Sequence, residues 1–176
     1  MKVTVKKKHA CCEKAAKKVL VEYLYLDLKT CDRCIGTDTV LDEVMEKVTP
    51  VLELAGYAVE YRKTLMSTAE IAAAHRFLSS PTIRINGQDI SSTVKETDCA
   101  CCGEISGAAT DCRVFEYEGQ IYEVPPASML AEAVLKGVFV SAEKSVEEEY
   151  TMPENLKNFF SGKAAKQSCG CSKGCC

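Results

Sequence analysis

The stretch "LYLDLKTCDRCIGTD", residues 24–38, decides how the chain is read. An apolar run ends, and Cys31 and Cys34 follow, two residues apart, ahead of a helix-forming segment. That spacing serves either of two chemistries. It can supply half of a tetrahedral zinc site, or form a reversible disulfide at the head of a helix. Upstream, "LVEYLYLDL" (20–28) is nearly continuous in large apolar side chains, the pattern of a central strand covered on both faces. Downstream, Leu41, Met45, Val48, Leu52 and Ala55 fall at helical spacing and make one buried stripe. Pro50 is expected to kink or divide that helix, and Gly56 to stop it.

Working outward, "AVEYRKTL" (58–65) alternates as a strand, and "STAEIAAAHRFLS" (67–79) reads as a helix with Glu70 placed for a capping box. Then come Ser80-Pro81, a short strand at 82–85 and an Asn86-Gly87 turn. Residues 89–112 are small, polar and rich in cysteine, and read as a loop or insertion. "CRVFEYEGQIYEV" (112–124) reads as a hairpin turning at Glu118-Gly119, expected to extend the sheet antiparallel. "PPASMLAEAVLKGVF" (125–139) reads as a helix with Leu130, Ala133, Val134, Gly137 and Val138 inward. The order predicts an α/β three-layer sandwich with a mixed central sheet. Residues 1–19 form an N-terminal extension, 20–140 the domain with its insertion at 89–112, and 141–176 a C-terminal extension. That extension is expected to hold a short helix near 153–161 and a flexible cysteine-rich end.

The totals narrow the class. The chain has 176 residues and a net charge of −3, which suits one domain and gives no electrostatic case for nucleic acid. "KKKH" (6–9) and "KAAKK" (14–18) read as a solvated N-terminal helix. No apolar run is long enough to span a membrane, and the N-terminus lacks the pattern of a signal peptide. A cytoplasmic, reducing location is expected. Twelve cysteines, clustered at 11–12, 31–34, 99–112 and 169–176, then point to metal binding or redox chemistry.

The C-x-x-C after the first core strand, with Ser80-Pro81-Thr82 before the third, resembles the thioredoxin fold over roughly residues 20–139. The resemblance implies that Pro81, with a cis peptide, faces the active-site cysteines. More closely, "CxxC", "SPTIRINGxDI", "DCRVxEYEG" and "YEVPP" resemble an uncharacterised thioredoxin-like family, known by fold rather than activity. The motif departs from the thioredoxin pattern. Thr30 stands where an aromatic residue would precede it, Asp32-Arg33 replace Gly-Pro, and tryptophan is absent.

On a redox reading Cys31, nearer the helix end and more exposed, attacks, and Cys34 resolves the mixed disulfide; Arg33 favours the thiolate and Asp32 opposes it. The insert holds Cys99, Cys101 and Cys102, with Cys112 ten residues beyond. It does not read as the C-x2-C of a zinc ribbon. Its thiols suit a soft ion, a Cys102–Cys112 disulfide, or a relay with Cys31 and Cys34. Cys169, Cys171, Cys175 and Cys176 make the tail a flexible chelator. Adjacent pairs at 11–12, 101–102 and 175–176 favour chelation, since a disulfide between neighbours closes a strained ring. In these pairs and its tail the chain distantly resembles arsenite metallochaperones. His9 reads as solvated and His75 as a core-edge residue.

Two functions follow as expectations. One is thiol–disulfide exchange by Cys31 and Cys34 with a protein thiol or disulfide partner, needing no cofactor. The other is binding or transfer of a thiophilic ion (zinc, copper(I), arsenite or mercury) with more than one ion per chain, exchanged with a metal donor or acceptor.

Overall fold

A computed structural model describes residues 17–140 and 149–169. Strand β1 (Lys17–Tyr25) alternates, turning Val19, Val21 and Tyr23 to one buried face. Helix α1 (Asp32–Leu54) lays Leu41, Val44, Met45 and Leu52 against that face. Strand β2 (Tyr57–Leu65) pairs in parallel with β1 along its whole length, from Lys17 opposite Tyr57 to Tyr25 opposite Leu65. A parallel pair needs a long crossover, and α1 supplies it. Helix α2 (Ala69–Ala74) starts at Thr68, whose hydroxyl accepts from the Ile71 backbone N–H at 3.4 Å.

Strand β3 (Thr82–Ile85) runs antiparallel to β1 and turns at Asn86-Gly87 into the short β4 (Gln88–Asp89). The turn residues have φ of 53° and 83°, which an Asn-Gly pair tolerates. The result is a mixed four-stranded sheet in the order β2-β1-β3-β4. Strand β5 (Lys95–Asp98), helix α3 (Ala100–Ser106) and the hairpin of β6 (Asp111–Tyr117) and β7 (Gln120–Tyr122) follow. Helix α4 (Ala127–Phe139) returns to the sheet and buries Leu130 and Val134 beside α1. Helix α5 (Glu154–Cys169) packs on α3 and sends Leu156, Phe159 and Phe160 into a second core cluster with Leu24, Leu26, Met66 and Phe77. The two helices pass closely at Gly162, where a Cβ would lie 2.4 Å from the Ser106 carbonyl oxygen.

Six expectations are corrected. Residues 89–112 are folded, containing β4's end, β5 and α3, because α5 and the first turn of α1 give them a core to pack against. The 112–124 hairpin joins β5 in a separate three-stranded sheet and leaves the central one. Helix α1 runs unbroken through Pro50, which sits exposed near its end, and stops before Gly56 at φ 85°. Helix α2 covers only six residues of the predicted 67–79, and Thr68 is its cap. Lys17 and Lys18 already belong to β1, while the remainder of the expected N-terminal helix lies outside the described residues. The C-terminal helix reaches Cys169, well past residue 161.

Candidate metal centre

Two backbone segments bring sulfur to one point. The Asp27 carboxylate gathers the backbone N–H groups of Lys29, Thr30 and Cys31 at 2.8, 2.5 and 3.2 Å. This fixes the loop from β1 and sets Cys31 as the cap residue of α1. In the insert, Cys99 caps α3, Cys102 lies in its first turn, and Cys112 stands on β6 opposite Thr97. The backbone N–H of Cys99 donates to Thr110 at 2.9 Å, closing the loop that carries α3.

Arg33 ties the two segments together. Its guanidinium donates to the carbonyls of Thr97 and Cys112, both at 3.1 Å, and of Asp98 at 2.8 Å, and pairs with Glu123 at 2.5 Å. The residue expected to favour a thiolate by charge is thus chiefly a clamp between α1 and the insert. A planar fork of donors suits that task where lysine would not.

The outcome is a group of four buried sulfurs, those of Cys31, Cys99, Cys102 and Cys112, all within 4.8 Å of one another. Cys102 Sγ lies 3.7 Å from Cys31 Sγ and 3.2 Å from Cys112 Sγ. A tetrahedral ion with metal–sulfur bonds of about 2.3 Å sets its sulfurs about 3.8 Å apart, so the group is of the size such an ion requires. These four sulfurs could hold a metal ion.

The electrostatics say how such a cluster behaves without a cation. Cys112 donates to Cys102, and Cys102 to Cys31, so negative charge collects at the end of the chain. Hydrogen bonds from Cys102, Cys112, Cys34 and Cys99 hold the Cys31 thiol far below the ordinary range. Cys99 is lowered to about 7 by Cys102 and Cys112. Cys112 is pushed up by Cys102, Cys31 and Cys99 and by burial. Donation from Cys112 pulls Cys102 down, but Cys31, Cys99 and burial prevail and push it up. Four buried thiols cannot all ionise in a low-dielectric pocket unless a cation shares it.

Cys34 lies one turn below Cys31 and outside the four. Its sulfur is 3.3 Å from the Ser80 hydroxyl, which also accepts from the Leu26 backbone N–H at 3.1 Å. The Cys31 thiolate and burial raise its thiol. The Tyr23 hydroxyl donates to the Cys34 carbonyl at 2.6 Å. Both cysteines of the motif are fully buried, so the expected exposure of Cys31 is not found. Pro81 is buried after a cis Ser80–Pro81 peptide bond. Cys101 is half-exposed, with its sulfur 3.9 Å from Asp32 Oδ2, and does not join the four. His75 caps α2 and is not among them either.

Of the tail, Cys169 ends α5, and Cys171, Cys175 and Cys176 lie outside the described residues, as do Cys11, Cys12 and His9. Two features escaped the sequence reading. Cys99 and Cys102 are themselves two residues apart, a C-x2-C pair that Cys101 obscures. Cys31 crosses from its own motif to complete the insert's set, for which no local spacing gives a signal. Among the described residues no helix is long and apolar enough to cross a membrane.

Comparison with curated proteins and with solved structures finds no match. Residues 19–134 match the family described as Domain of unknown function (DUF2703), and the chain belongs to that family.

Proposed function

We propose that the chain is a soft-metal protein in which Cys31, Cys99, Cys102 and Cys112 bind one thiophilic ion. The observation that carries the reading is the convergence of four buried sulfurs from α1, α3 and β6 within 4.8 Å. A complete set of four thiolates suits a tetrahedral ion such as Zn2+ and leaves no open position for substrate, so the ion is held or handed on. The charge of four thiolates exceeds that of a divalent cation, and the adjacent Arg33 guanidinium offsets part of the excess. Clustered free thiols suit a reducing compartment such as the cytoplasm.

The test is anaerobic purification with elemental analysis and native mass spectrometry. Cys11, Cys12, Cys169, Cys171, Cys175 and Cys176 are first changed to serine, so that any ion is attributable to the buried centre. One tightly held ion is expected, lost on Cys102→Ser and retained on Cys101→Ser. A chain that remains metal-free after anaerobic incubation with Zn2+ or Cu(I) would sink the reading.

A second reading is thiol–disulfide chemistry at Cys31 and Cys34 in a thioredoxin-like arrangement. It is supported by the sheet order β2-β1-β3-β4, the C-x-x-C at the head of α1 and Ser80-Pro81 directly before β3. Cys31 is common to both readings.

A further inference from the structure

Cys34 is a buried thiol that the four-sulfur centre does not use, and it stands next to a ligand. We propose that Cys34 lets the centre reduce a peroxide and release its metal, by forming a disulfide with Cys31. This rests on the proposed metal site and adds to it a substrate class, hydrogen peroxide or a small alkyl hydroperoxide, and an exit route for the ion.

The choice of bond follows from the ligand set. A Cys102–Cys112 or Cys99–Cys102 disulfide consumes two of the four ligands, all of which are engaged while the ion is bound. Cys31–Cys34 is different, because one partner is a ligand and the other is free. Cys31 caps α1 and Cys34 lies three residues on in its first turn, a spacing that makes the two side chains neighbours at one helix end. The Ser80 hydroxyl, 3.3 Å from Cys34 Sγ and tied to the Leu26 backbone, fixes that sulfur beside its partner.

The choice of oxidant follows from burial. Cys31 and Cys34 are both 0% exposed, so a protein disulfide or oxidised glutathione cannot bring its sulfur into line with either. A peroxide is little larger than water and needs a far smaller opening than either.

The step balances. The Cys31 thiolate attacks one peroxide oxygen, the O–O bond breaks, and Cys31 becomes a sulfenic acid with release of hydroxide. Cys34 then gives up its thiol proton and attacks the Cys31 sulfur. The S–O bond breaks, the oxygen leaves as water, and the Cys31–Cys34 disulfide forms. Two electrons pass from the two sulfurs to the peroxide. Cys31 is no longer a thiolate, and three sulfurs remain for an ion that needs four. Once the ion has left and the insert has loosened, a dithiol reductant reaches the bond, reverses it and restores the site.

The test treats the zinc-loaded full chain with hydrogen peroxide, follows free Zn2+ with a colorimetric chelator and maps disulfides by peptide mass spectrometry. Release of the centre's ion with a Cys31–Cys34 linkage is expected, reversed by dithiothreitol and much faster with peroxide than with oxidised glutathione. Cys34→Ser should load zinc as the parent does but release it several-fold more slowly. Equal release from Cys34→Ser, or a first-formed linkage at Cys102–Cys112 or Cys99–Cys102, overturns the inference. If Cys34→Ser does not fold, linkage mapping in the parent decides alone. A chain that never loads zinc refutes the metal site itself, a different outcome from a loaded chain that ignores Cys34.

Discussion

The two halves of the core are built from different materials. Between the sheet and the pair α1 and α4 lie Val19, Val21, Leu41, Val44, Leu52, Leu130 and Val134, an aliphatic layer held by apolar burial. Between the sheet end, α3 and α5 lie Leu24, Leu26, Phe77, Leu156 and Phe159, with Cys31, Cys34, Cys99, Cys102 and Cys112 among them. The first half needs nothing beyond its own side chains. The second encloses thiols that interact with one another, and on the proposed metal reading its packing depends on their ligation. One fold thus joins a self-sufficient half to a conditional one.

The largest effect should come from withdrawing the metal. Amide exchange should accelerate in α3, β6 and α5 when a chelator strips the loaded chain, while β1 and α1's Leu41–Leu52 stretch stay protected; uniform loss of protection would erase the contrast. Metal uptake should also be linked to pH. Cys102 and Cys112 lie above the ordinary thiol range and are protonated at neutral pH, so binding must expel their protons. Affinity should therefore rise with pH and fall as the solution is acidified, and calorimetry in buffers of different ionisation enthalpy should register protons released.

Next comes the aliphatic half. Leu41→Ala should cost about 2–5 kcal/mol of unfolding free energy whether or not metal is present. A cost that vanished on loading would merge the two halves. Arg33→Met should cost about 1–3 kcal/mol, since carbonyls of the insert lose a buried donor, and it should weaken metal retention as well as stability. Arg33→Lys, which keeps the charge, should rescue little of either. The smallest effect belongs to Glu60→Gln on β2. Its pair with Arg62 is more than half exposed on both sides, and the change should stay within about 0.5 kcal/mol.

The aliphatic half was legible in the sequence because its information is local. Leu41, Met45 and Leu52 repeat at helical spacing, and Asn86-Gly87 announces its own turn. The cysteine half was not, because its contacts are distant along the chain. Cys31 meets Cys102 across 71 positions, which no periodicity encodes. Helix α5 has only Leu156, Phe159 and Phe160 as its apolar anchors, followed by a Lys-, Ser- and Gly-containing run that reads as tail. The folding of the insert depends on both that helix and Arg33. A helix was expected near 153–161, but neither its packing on the insert nor the Arg33 clamp was visible, and the small polar residues suggested a loop.

Gly162 gives this half a peculiar dependence. Here α5 rests on α3 backbone to backbone, with no room for even a methyl group before the Ser106 carbonyl. Phe159 and Phe160, just before it on the same helix, belong to the buried cluster that holds the sulfurs. Dryness at the thiols is therefore underwritten by an atom that is missing from the chain. Any side chain at that crossing must jack the helices apart, and water would follow into the gap without one sulfur ligand having been altered.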